Sequence, residues 1–186
     1  MAKTGKQIQG DVYRLFKDST LYTMISGEVY REGYRPRDSR LEDAVVIFDT
    51  GLSNEIQTGI VTVDIYVPDI DPYGNGVLVE DGQRTEQLER LAQAWVDSLT
   101  AEVSCYMFKL GATIYTEYEP GINQHFVVVK LKYRYYGDDD ATMNIPQAAY
   151  VDAIDTDDNE DYTPLLETET DDVVFVQPVM QKKIDC

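Results

Sequence analysis

The order of hydrophobic patterns predicts an α+β fold, a mainly antiparallel sheet with two helices packed on one face. Three observations carry that expectation. Two segments repeat apolar residues at helical spacing, while several others alternate them at every second position or run apolar without a break. The strand-like segments are also grouped, rather than alternating one by one with helices as a parallel α/β sheet requires.

Ile8, Val12, Leu15 and Phe16 place one apolar face on a helix from Gly5 to Lys17. Asp18-Ser19-Thr20 ends it, and Leu21, Met24 and Ile25 continue the apolar face through a short turn to Gly27. A short strand, Glu28–Arg31, precedes an Arg-, Pro- and Asp-rich loop. Ala44–Phe48 is a continuous apolar run, the pattern of a strand buried on both faces. Thr50–Asn54 reads as a turn. Glu55–Val67 then alternates, with Val61, Val63, Ile65 and Val67 on one side and Thr62, Asp64 and Tyr66 on the other. These two strands are close enough in sequence to form a hairpin. After a Gly/Asp/Pro-rich loop to Gln83, Leu88, Leu91, Ala92, Trp95 and Leu99 form the inward face of a second helix starting at Arg84. Thr85 and Leu88 are consistent with capping there, and Glu86 with Arg90 makes an i,i+4 ion pair. Two last strands are expected, Ala112–Glu119 and Asn123–Tyr136. In the second, Val127, Val129, Leu131, Tyr133 and Tyr135 face one way, and Lys130, Lys132 and Arg134 face the other.

Charge divides the chain at Gly137. Residues 1–136 hold 14 Lys/Arg against 20 Asp/Glu, whereas residues 137–186 hold only Lys182 and Lys183 against 14 acids. The expected organisation is an α+β domain over residues 1–136 and an acidic C-terminal arm over 137–186. The arm ends in a strand-like Val173–Val176. Its acidic stretch has too little apolar surface to offset the entropy of ordering, so two outcomes are expected equally: the domain folds without the arm, which serves assembly, or the Val173–Val176 strand completes the domain's own sheet. A net charge of −18 argues against sequence-independent affinity for nucleic acid, which needs Lys and Arg on phosphates. Cys105 and Cys186 form no disulfide framework or metal spacing, so both are expected as free thiols in a reduced, intracellular protein. No signal peptide or membrane span is expected from the apolar runs.

Little in the chain points to catalysis. Its single histidine, His125, lies in the middle of an alternating strand and reads as a partly exposed structural residue. GxSxG, HExxH, P-loop and GxGxxG patterns are absent from the sequence. Asp69, Asp71, Gly74 and Glu80 match four positions of a calcium loop, but Tyr73 occupies a ligand position and no helix precedes the loop. Asp138–Asp140 after a Tyr-rich strand mimics paired polymerase aspartates, yet the chain lacks a domain of that size or basic nucleotide-binding groups. We expect no enzyme activity, no cofactor and no metal.

The segments LFKDSTLYTMISG, EVYREGYRPRDS, EDAVVIFDTG and GIVTVDIYVPD, in that order between Gln9 and Asp69, resemble the tail-terminator or tail-completion family of phages and prophages. The RLAQAWVDSL helix and the closing hairpin extend the resemblance over residues 7–136, while the acidic arm departs from the compact members of that family. The resemblance implies a homo-oligomeric ring, usually a hexamer. Such a ring sits on the last ring of major tail-tube protein and offers a surface to a neck or head-completion protein. DNA would pass through it without specific binding, and no membrane is involved. The protein would be made in the host cytoplasm and act at the tail–neck junction of the virion. A closed ring needs two different adhesive surfaces per subunit. Candidate interface residues are Arg31, Arg35, Arg37 and Arg40 in the basic loop, Tyr133 and Tyr135 on the Tyr-rich strand, and Val174 and Val176, whose strand would add to a sheet edge. Tyrosine, with 14 copies against 5 Phe, suits surfaces that are half core and half interface. Other neck or baseplate components share this logic; a calcium- or small-ligand-binding module is the alternative from a different class.

Overall fold

The computed structural model describes residues 2–102 and 105–137. The expected acidic arm and its strand, Val174 and Val176 included, lie outside the described residues. In chain order the elements are α1 (Gly5–Lys17), α2 (Thr20–Thr23), β1 (Val29–Arg31), β2 (Ala44–Ser53), β3 (Gln57–Pro68), α3 (Gly82–Glu102), β4 (Tyr106–Leu110), β5 (Tyr115–Glu119) and β6 (Gln124–Tyr135). The sheet runs β1-β2-β3-β6-β4, and β5 also pairs with β6, beyond β4 along the same edge. Every pairing is antiparallel except β1 with β2. The fold is the expected α+β architecture.

Local chemistry sets the helix boundaries. Thr4 caps α1 through a capping box with Gln7, so α1 begins and ends where its apolar spacing places it. Ser19 caps α2 by accepting from the Tyr22 amide. For α3 the cap is Asp81, which accepts from the Arg84 amide, so the helix starts at Gly82 rather than at Arg84.

The core lies between α1, α3 and one face of the sheet. Ile8, Val12 and Phe16 from α1 and Leu88, Ala92 and Trp95 from α3 pack onto Val46, Val63, Ile65, Val129 and Leu131. Phe16 meets Trp95 edge to face at 5.1 Å and joins the two helices. Period-two alternation decides which strand residues participate. Val61, Val63, Ile65 and Val67 are at most 2% exposed, as are Val127, Val129, Leu131, Tyr133 and Tyr135.

Three expectations need correction. A further strand, β4, lies between α3 and β5; its Tyr106 and Phe108 enter the core while Lys109 stays outside, and Ala112–Ile114 belongs to no strand. Second, Thr50–Ser53 continues β2 instead of turning. The reason is space. Gly51 pairs with Gly59, which pairs with Tyr133, and the Tyr133 hydroxyl lies where either glycine's side chain would stand. The glycines make room for a ring; they do not reverse the chain. Third, Cys105 is disulfide-bonded rather than a free thiol. The other cysteine, Cys186, lies outside the described residues.

Candidate assembly interface

The basic loop contributes less surface than its composition suggests. Arg31, Arg37 and Arg40 are exposed. Arg35 is not: its side chain is 9% exposed, and its Nε donates to Asp43 Oδ2 at 3.0 Å. The same guanidinium donates to Gln124 Oε1 at 2.7 Å and stacks 4.0 Å from the Tyr66 ring centroid. Asp43 also accepts from the Glu28 amide and the Ser39 hydroxyl, so Arg35 closes a buried network that ties the loop to β3 and β6. Tyr133 and Tyr135 are likewise corrected from surface to core, because both point under the helices at 0% and 2% exposure. Tyr106 and Lys3 pack against Tyr135, with Lys3 Nζ 4.8 Å from its ring centroid.

Arg31 does reach the surface, at the outer edge of the sheet. It lies 5.7 Å from the Tyr13 ring centroid and lines an open groove of about 390 Å³ with Lys6, Tyr13, Val29, Tyr30 and Tyr34. The strand alongside, β1, pairs only with β2 among the described residues, so its other edge is unpaired.

A second surface is the sheet face opposite the helices, which no helix covers among the described residues. Register arranges it in rows. Leu52, Thr58, Arg134 and Met107 form the first, and Thr50, Ile60, Lys132 and Lys109 the second. Ile47, Thr62 and Lys130 follow, then Val45, Asp64, Val128 and Tyr115. Tyr66, Phe126 and Glu117 close the series, with Tyr66 and Phe126 stacked at 5.1 Å. Charge is therefore segregated along the strands. Lys109, Lys130, Lys132 and Arg134 occupy one end and Asp64 and Glu117 the other, while Asp49, at the β2 bulge, is a lone acid between the Lys130 and Lys132 rows.

Asp64 is 8% exposed, and its Oδ1 has no hydrogen-bond partner. Burial pushes its carboxyl up to about 7, and the negative charges of Asp49 and Glu117 add to that, against a weaker opposing pull from Lys130. Asp49 itself accepts a 2.5 Å hydrogen bond from the Thr62 hydroxyl. The alternation of β6 revealed three of the four cations in the sequence. Lys109 was missed because β4 was missed, and Asp64 was legible only as an outward position.

The remaining candidate chemistry is used structurally. His125 Nδ1 lies 2.7 Å from Asp69 Oδ1, which turns the first would-be calcium ligand toward the sheet. Asp71 accepts from the Asn75 and Gly76 amides, at 3.1 and 2.7 Å, and such backbone donors hold its carboxyl below the usual range. Glu80 accepts from Thr85 Oγ1 at 2.8 Å. Among the described residues no group of three or more His, Cys, Asp or Glu is placed to hold a metal ion, and no helix is long and apolar enough to cross a membrane.

No family model matches the chain. No curated protein matches it either. One solved structure aligns over 73% of this chain and 96% of its own length, at 15% identity and a TM-score of 0.37. A likeness at that level supports no statement about what this chain does, which rests on its own surfaces.

Proposed function

We propose that this chain is a non-enzymatic virion protein that closes the tail tube of a long-tailed bacteriophage as a ring, a hexamer by the family resemblance, and joins it to the neck. The observation that carries the reading is the segregation of charge on the helix-free sheet face. A subunit with a cationic and an anionic end can make head-to-tail contacts, in which unlike surfaces meet and the rotation closes. The open edge of β1, with Arg31 and three tyrosines around it, is a further surface of different chemistry. Arg37 and Arg40 remain exposed in the loop after β1, Arg40 donating to the Ile122 carbonyl at 3.4 Å, and are free to form salt bridges to an acidic neighbour. The succession of elements from α1 to β6 also suits the tail-terminator resemblance. On this reading the partners are the major tail-tube protein on one side and a neck protein on the other, and the acidic chain lets DNA pass without holding it.

Tube polymerisation tests the proposal. Added to assembling tail-tube protein, the chain should stop elongation and shorten the tubes in proportion to its concentration. Unchanged tube lengths at saturating protein would contradict it.

A further inference from the structure

Exposed apolar side chains gather in one loop. Of the eleven large apolar residues exposed among the described residues, five follow β3: Ile70, Tyr73, Val77, Leu78 and Val79, with Tyr73 at 81%. The loop is a built finger and not a slack connection. Ile70 and Val79 exchange both backbone hydrogen bonds, each at 2.9 Å. At the tip Asp71 accepts from the Asn75 and Gly76 amides, and Gly74 and Gly76 adopt the positive φ, 64° and 80°, that this tight turn requires. The apolar side chains are thus presented to water in a fixed arrangement, so little ordering entropy is left to lose on docking. The groove beside β1 has the complementary character. Its Lys6 and Arg31 form no ion pair among the described residues, although acids outnumber basic residues by about two to one in the chain as a whole. Arg31 is held in place, because its guanidinium lies against the α1 backbone where a Cβ on Gly10 would stand 2.8 Å from Nη2. Tyr13, Tyr30 and Tyr34 supply aromatic walls.

We propose that the finger of one copy docks in the β1 groove of a second copy, with Tyr73 and Leu78 entering between the tyrosines and Asp71 and Glu80 facing Lys6 and Arg31. This rests on the ring reading above and names its contact. Charge is the first reason. Residues 69–83 hold four acids and no Lys or Arg, opposite a groove with two unpaired cations and no acid in its lining. Asp71 and Glu80 already accept hydrogen bonds inside the finger, but a carboxylate has about four acceptor sites, which leaves each able to meet a cation. Size is the second reason. A groove of about 390 Å³ has the capacity of a small-ligand pocket, enough for a few side chains. The third reason is that the two surfaces do not meet within one subunit. The groove is lined by α1, β1 and Tyr34 alone, and the finger's side chains stay exposed. Two unlike, complementary surfaces left unmatched on one subunit are what a head-to-tail contact requires. Each exposed ion pair is weak alone, so the apolar side chains carry the contact and the charges fix its orientation.

Photocrosslinking of the full-length protein tests this. With Tyr73→p-benzoylphenylalanine in an equal mixture of light and ¹⁵N-labelled chains, irradiation should link position 73 to Tyr13 or to residues 29–34, and half of the linked peptides should join the two isotopes. Arg31→Glu and Leu78→Ser, both at exposed positions and with circular dichroism unchanged, should each lower the yield severalfold. Arg37→Glu, exposed but outside the groove, should leave it unchanged. Links of one isotope only would overturn the proposal in favour of the finger closing on its own groove. Links confined to other residues, no links between copies, or equal losses in Arg31→Glu and Arg37→Glu would overturn it outright. The same irradiation of rings on tube ends separates this contact from the proposed function. Rings without the link would overturn the contact alone, and the link without capped tubes would overturn the function alone.

Discussion

Asp64 and Asp11 are both buried carboxylates, and their surroundings drive them in opposite directions. Asp64 is raised to about 7 by burial first and by Asp49 and Glu117 second, so the folded chain binds a proton there more tightly than the unfolded chain does. Stability from this group therefore falls as pH rises from about 4 to 7. Asp64→Asn should gain on the order of 1–3 kcal/mol at pH 8, an advantage that shrinks to nothing near pH 4, as urea titrations at the two pH values would show. Burial alone would raise Asp11 as well, but Lys3, Tyr106 and Arg14 donate to it and hold it below its ordinary value. Its contribution is present above the ordinary carboxylate pKa and is lost as the solution is acidified through the lowered one. Arg35 is the third residue of consequence. Its removal leaves Asp43, 1% exposed at its side chain, without its cation, so Arg35→Ala should cost about 3 kcal/mol in denaturant unfolding. Nothing in the sequence separates Arg35 from Arg37 and Arg40. The distinction arises from partners 8 and 89 residues away, which local pattern does not record.

At the scale of elements, what was legible depended on length and on how local the signal is. The bounds of α1 follow from four apolar positions and a Thr4–Gln7 box, all within one segment. The inward faces of β3 and β6 follow from alternation sustained over 12 residues each. β4 has five residues and directly follows the end of α3, so its Tyr106/Phe108 alternation is too short to stand out. The extension of β2 was hidden because Gly51 and Ser53 have turn composition, while Gly51 is there to make room for Tyr133, on a strand distant in sequence. That reading predicts that Gly59→Ala is costly. The new methyl would press on the Thr50 carbonyl and lie 2.6 Å from the Tyr133 hydroxyl, so a loss of on the order of 2 kcal/mol is expected in thermal or urea unfolding. In the 69–80 loop, carboxylates already committed to His125, to backbone amides and to Thr85 should leave calcium titration without a micromolar binding isotherm.

At the scale of the whole molecule, the sequence showed a sheet with one apolar and one mixed face, and that division organises the structure. Alternation in β6 alone places Lys130, Lys132 and Arg134 together toward the end of that strand, but it could not show Lys109 opposite Lys132 or Asp64 and Glu117 at the other end. That arrangement is a property of register across the strands, which only the folded sheet supplies. The same limit explains the interface candidates. Tyr133 and Tyr135 suited a surface by composition, and the sheet turned them inward. The proposed function asks the outward face and the β1 edge to join unlike surfaces around a ring. Electron microscopy of the purified full-length chain incubated with preformed tail tubes tests that claim most directly. The account predicts closed rings of this protein seated on tube ends. Bare tube ends beside protein that remains monomeric would contradict it.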